Sequence, residues 1–71
     1  MQIDPVKLAH ELAMADACSH SYLTIYRLNP HVVRETIEKG NINGDKVYKY
    51  LREVYMAKYD YYFEFITNLL L

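Results

Sequence analysis

Residues 45–71 read DKVYKYLREVYMAKYDYYFEFITNLLL, and the distribution of apolar residues in this stretch decides the fold. Set on an α-helix, Tyr48, Leu51, Tyr55, Tyr59, Tyr62, Ile66 and Leu69 recur at spacings of three and four and form one continuous face. A second row, Val47, Leu51, Val54, Tyr61 and Phe65, lies beside it. Together they make an apolar arc of roughly half the circumference, wider than the ~100° stripe of an ordinary surface helix. Lys46, Lys49, Glu53, Asp60, Glu64 and Thr67 take the opposite side. So lopsided a helix needs a large surface to lie against. Lys58 falls near the centre of the arc, and two readings fit it. Its aliphatic stem packs among tyrosines with the ammonium at the edge, or it meets an acid across an interface and fixes the register there.

Upstream, the chain punctuates itself with capping signals. Asp45 is placed to accept an orphan backbone N–H at the start of the long helix. Asp4-Pro5 and Asn29-Pro30 carry the same kind of start: a capping side chain followed by a proline whose fixed φ suits the first helical position. The spacing predicts a first helix over about 5–28, with Leu8, Leu12, Ala15, Tyr22, Leu23 and Tyr26 as its apolar face and Met14, Cys18 and Ile25 widening it. His10, Ala13, Ala17, His20, Thr24 and Arg27 form a small, polar stripe on the other side, one that lets a neighbour approach closely. A short helix over about 30–39 follows, burying Val33 and Ile37, with Glu35 and Lys39 as a favourable i,i+4 pair. Gly40 is the expected left-handed stop, Asn43-Gly44 the expected turn signal, and Ile42 the plug between them.

The expected fold is therefore all-α: two long antiparallel helices, about 5–28 and 45–70, joined by a short one. A hairpin of this kind leaves one side of each long helix uncovered, and pairing of two hairpins gives a four-helix bundle. The length supports the same expectation. Seventy-one residues make a single helical domain, 1–71, whose core alone seldom supplies more than about 3–5 kcal/mol. Cys18 is the only cysteine, so no disulfide within the chain can add to that. A composition of 52% hydrophobic residues exceeds what so small an interior can hold, and it points to a homodimer or a protein partner.

Function classes narrow by elimination. The ligand types His10, Cys18, His20 and His31 do not converge: His10 and His20 lie ~15 Å apart along one helix, and Cys18 and His20 point to different sides. Asp16 and His20, at i and i+4, suit a surface hydrogen bond better than a metal. No nucleophile elbow, phosphate loop, paired-carboxylate motif or His-Glu-x-x-His is present. Neither an enzyme nor a cofactor is expected. The first residues show no basic region followed by an apolar run, and no apolar stretch approaches the ~20 residues of a membrane span. With a lone thiol, the chain fits a reducing cytoplasm.

Two surfaces remain. The first is the tyrosine-rich face of the last helix, offered as a protein interface through Tyr48, Leu51, Tyr55, Lys58, Tyr59, Tyr62, Ile66 and Leu69. Eight tyrosines and no tryptophan suit a surface that is alternately wet and buried. The second is the basic end. Arg27, Arg34, Lys39, Lys46, Lys49 and Arg52 outnumber Glu35, Glu38 and Asp45 there, with Tyr26, His31, Tyr48 and Tyr50 interleaved. Doubled by dimerisation, that end would attract phosphates. The expected function is a small non-enzymatic interaction or regulatory protein acting through the tyrosine face; the alternative is a dimeric nucleic-acid-binding regulator.

Overall fold

In a computed structural model, every residue except Met1 and Asn43 is described. The chain is all-α, with no strand among the described residues. Four helices follow in order: α1 (Pro5–Cys18), α2 (Ser21–Ile25), α3 (Pro30–Lys39) and α4 (Lys46–Leu70). α1 and α4 make most of the contact between elements, and they are the arms of a helical hairpin.

The capping signals hold where the sequence placed them. Asp4 accepts from the backbone N–H groups of Val6 and Lys7, Asn29 from that of His31, and Asp45 from those of Val47 and Tyr48. Gly40 ends α3 in the left-handed region at φ 71°. Gly44 has φ 75°, whereas Asn43, the other half of the expected turn signal, lies outside the described residues. Ile42 is half-buried.

The first long helix is not continuous. The expected helix over 5–28 stops at Cys18, and Ser19 and His20 both leave the α-helical conformation. The Ser19 hydroxyl donates to the Asp16 carbonyl, tying off the end of α1. His20, in extended conformation, accepts the Tyr22 N–H on its Nδ1 and so starts α2. Side chains that bond nearby backbone offer the chain an alternative to the helical ladder. Two such residues in succession interrupt it here. The Asp16–His20 pairing expected of a continuous helix is absent. Asp16 accepts from Tyr62 instead.

α2 closes on a Schellman-type end: the Leu28 N–H bonds the Leu23 carbonyl at 2.8 Å and the Arg27 N–H bonds that of Thr24 at 3.3 Å. The left-handed position of that motif, which favours glycine, is held by Arg27 at φ 54°.

The buried face of α1 is also not the expected one. Ala9, Ala13 and Ala17 have no solvent exposure and Met14 almost none, whereas Leu8 and Leu12 stay 37% and 38% exposed. The small stripe through Ala13 and Ala17, expected to let a neighbour approach closely, is the side that packs, with Ala9 beside it. Small side chains allow close approach between helix axes, and the bulk of α4 then fills the space that leucines would have taken. On α4, Leu51 and Ile66 are buried and Tyr48, Tyr55, Tyr59 and Tyr62 are half-buried. Met14, Ala17, Leu23, Val33, Ile37 and Leu51 form the core cluster, to which all four helices contribute.

Enlarging Ala13 tests this account. Ala13→Leu overpacks the seam and is expected to cost about 1–3 kcal/mol in urea-induced unfolding. Leu12→Ala, on the exposed side, is expected to change stability by less than half as much. Equal losses would place the packed face of α1 elsewhere.

Candidate interaction surfaces

Tyrosine hydroxyls are costly to bury without partners, and α1 supplies two. The Tyr55 hydroxyl and His10 Nδ1 are 2.6 Å apart, and Tyr62 donates to Asp16 Oδ2 at 2.6 Å. These pairs join residues 45 and 46 apart in sequence, which hid them from a reading by helical spacing. Each tyrosine is held firmly protonated. Burial pushes the Tyr55 hydroxyl above its ordinary range, and the hydrogen bond to Asp16, with burial second, does the same for Tyr62.

Of the eight residues offered as a protein interface, the single chain itself engages six. Leu51 and Ile66 are buried, and Tyr48, Tyr55, Tyr59 and Tyr62 are half-buried; Lys58 and Leu69 are exposed. Beside this row, α4 keeps a second aromatic surface in solvent. Tyr61 and Phe65 are 62% and 52% exposed and lie stacked, with ring centroids 6.3 Å apart and planes 10° from parallel. On the other flank of the row, half-buried Tyr59 and exposed Phe63 stack in the same manner at 6.0 Å. Met56, Leu70 and Leu71 add exposed apolar area.

At the other end His20, Tyr22, Tyr26 and Tyr50 make an aromatic cluster. The Tyr22 ring lies 4.6 Å from His20, 4.8 Å from Tyr50 and 5.6 Å from Tyr26, measured between centroids. The six cations of the basic end divide into two groups. Arg34 bridges Glu11 at 2.8 Å and Glu38 at 2.7 Å, and Lys39 pairs with Glu35. Arg27, Lys46, Lys49 and Arg52 are exposed and form no ion pair among the described residues.

The Arg34 contact also fastens α3 to α1. Its hydrogen bond holds the Glu11 carboxyl below the ordinary carboxylate range and raises the guanidinium in turn. Cys18 is half-buried, its Sγ 3.6 Å from the Pro30 carbonyl oxygen. Burial raises its thiol above the usual value, which disfavours the reactive thiolate.

An open depression of about 380 Å³ brings His10, Glu38, Arg52 and Tyr55 together over Met14, Ile37 and Met56. The sequence reading had not joined these residues. Among the described residues no three His, Cys, Asp or Glu side chains gather as a metal site, and no helix is long and apolar enough to cross a membrane. No protein-family model matches this sequence, and no curated protein or solved structure matches it either.

The Glu11–Arg34 contact has a pH signature. A carboxyl whose value is lowered on folding adds stability that is complete above its unfolded value, 4.5, and that is lost as pH falls through the folded one. Glu11→Gln should therefore melt below the parent at pH 7, and the gap should close in strongly acidic buffer. A gap constant across that range would mean that the ion pair contributes nothing.

Proposed function

We propose that this chain is a small, non-enzymatic interaction or regulatory protein of the cytoplasm that works through the tyrosine-rich surface of α4, as a homodimer. One observation carries the reading. A chain whose core cluster holds only six buried residues keeps Tyr61, Phe65 and Leu69 in solvent along one side of its longest helix. Apolar surface gathered in this way is typical of protein contact sites rather than of free monomers. Aromatic residues are also the type enriched where such contacts form. A partner meets Lys58 and Leu69 directly, together with the outer edges of the half-buried tyrosines.

The alternative, a dimeric nucleic-acid-binding regulator, draws support from a different place. Arg27, Lys46, Lys49 and Arg52 carry charge that no carboxylate of the chain neutralises among the described residues. Exposed Tyr26 and Tyr50 stand beside them in sequence. Cations interleaved with aromatic rings suit a phosphate backbone with stacked bases.

Sedimentation equilibrium over a wide concentration range tests the first reading. A reversible dimer is the expected result, and a monomer at every concentration would remove the homodimer. Titration with duplex and single-stranded DNA at low salt tests the second. Binding that weakens steeply with salt and disappears in a Lys46→Glu/Lys49→Glu/Arg52→Glu protein would favour it; no binding at low salt would remove it.

A further inference from the structure

α3 covers only one face of the α1–α4 hairpin. His10 and Tyr55 mark that face, since they line the same depression as Ile37 and Glu38 of α3. Asp16 and Tyr62 mark the other: at 3.6 residues per turn Asp16 stands ~120° from His10 around α1, across the alanine row. Leu12 and Leu8 lie one and two turns before Asp16 on that flank, 38% and 37% exposed. On α4, Lys58 lies one turn before Tyr62. The Tyr61 ring meets that of Tyr62 edge-on, with centroids 5.5 Å apart, and Phe65 stacks on Tyr61 in turn. Lys58, Tyr61 and Phe65 are all exposed. Tyr22 of α2 reaches α4 only at Tyr50, ~12 Å nearer the amino end than Lys58.

Both arms therefore present a row on the uncovered face, and the rows match. Along α4 the order is Lys58, Tyr61, Phe65; along α1, read against the chain, it is Asp16, Leu12, Leu8. Each step is three or four residues, one helical turn. The pairs His10–Tyr55 and Asp16–Tyr62 fix the relative height of the arms: midway between them, Ala13 stands level with Lys58 and Tyr59. Let a second copy lie face to face about a two-fold axis that runs along the helices, between α1 and α4. Each α4 then meets α1 of the other copy at the height at which it meets its own. Lys58 faces Asp16, Tyr61 faces Leu12 and Phe65 faces Leu8, every pair within a turn of level and made twice. A two-fold interface must be self-complementary in this way. Tyr62 takes only Oδ2 of Asp16, which leaves the other oxygen for Lys58. Lys58 has no ionic partner within its own chain among the described residues. An axis across the helices would lay α4 on α4 and give Lys58 no carboxylate, since Glu64 stands ~120° away around the helix.

We propose that this face is the homodimer seam. Two hairpins stack as a four-helix bundle in which α4 lies on α1 of the second copy, with Lys58–Asp16 pairs setting the register and the Tyr61 and Phe65 rings seated on Leu12 and Leu8. The proposal rests on the homodimer reading and specifies its geometry. A second copy is the occupant because one face of the chain carries both the unmatched cation and the carboxylate that answers it. Every helix of the stack has antiparallel neighbours, as in an up-and-down bundle.

Two measurements test the seam. Lys58→Glu sets a carboxylate against Asp16 of the other copy twice. It is expected to raise the dissociation constant at least ten-fold in sedimentation equilibrium, with an unchanged helical circular dichroism spectrum. The second measurement is cross-linking at exposed positions in a Cys18→Ser background. An equal mixture of Leu12→Cys chains and Tyr61→Cys chains is expected to give mixed disulfide dimers on mild oxidation, and either chain alone far fewer. Disulfide dimers of the Tyr61→Cys chain with itself would mean that α4 lies on α4, and they overturn the pairing. A parent dimer that Lys58→Glu leaves at full strength overturns the seam. Both of those results leave the homodimer standing, whereas a parent that is monomeric at every concentration overturns the homodimer and the seam together.

Discussion

The close approach of α1 to α4 is the constraint on which the rest depends. Three alanines without solvent exposure, Ala9, Ala13 and Ala17, form a shallow floor along α1, and α4 brings to the seam a row of side chains most of which are tyrosine. Small against large is the arrangement that fills space without voids, since a packed interior resembles a molecular crystal more than an oil drop. A tyrosine laid over a floor of this kind buries its ring and still brings its hydroxyl to the margin. That is where His10 and Asp16 wait, half-buried on the flanks of the same stripe. The polar residues of α1 thus take part in the packing, because the tyrosines need acceptors near the edge of the seam.

The same geometry explains how so small a chain keeps apolar surface in solvent. α1 covers one row of the wide arc on α4 and no more. Leu8 and Leu12, displaced from the seam by the alanines, stay accessible on α1, while Tyr61 and Phe65 stay accessible on α4. α3 adds a third wall at one end through Val33 and Ile37, held to α1 by the fork of Arg34 between Glu11 and Glu38. Together with α2, which adds Leu23, these elements enclose a core cluster confined to that end. The far part of α4 relies on Ala9, Ala13 and Ile66, which are buried outside the cluster.

Local chemistry was legible in the sequence and long-range choice was not. Asp4, Asn29, Asp45 and Gly40 act within a few residues of themselves, so their roles follow from the chain alone. The break at Ser19-His20 is equally local, yet neither residue is a strong helix breaker. It takes the Ser19 hydroxyl and the His20 ring both turning to the backbone to stop the helix. Arg27 in a left-handed conformation has no sequence signal either, because glycine or asparagine is the usual occupant of such a site. The face of α1 was misjudged for a physical reason. Hydropathy ranks leucine above alanine, but the face that packs is chosen by what lies opposite, and tyrosines prefer a floor to a ridge. The interface row on α4 was identified as apolar and continuous, whereas its engagement with α1 depends on contacts more than forty residues away.

That separation has a consequence for how the chain comes into being. A helix of 14 residues is near the lower limit of what stands alone in water, and an alanine-faced one has little apolar bulk to draw a partner early. α1 leaves the ribosome first, but Tyr55 and Tyr62 follow it by about 45 residues. At ordinary rates of synthesis, 5–20 residues per second, that is a wait of several seconds. Through that interval the amino-terminal part has only α3 to close upon. The tyrosine seam therefore forms late, when α4 supplies the rings that lie over the alanines.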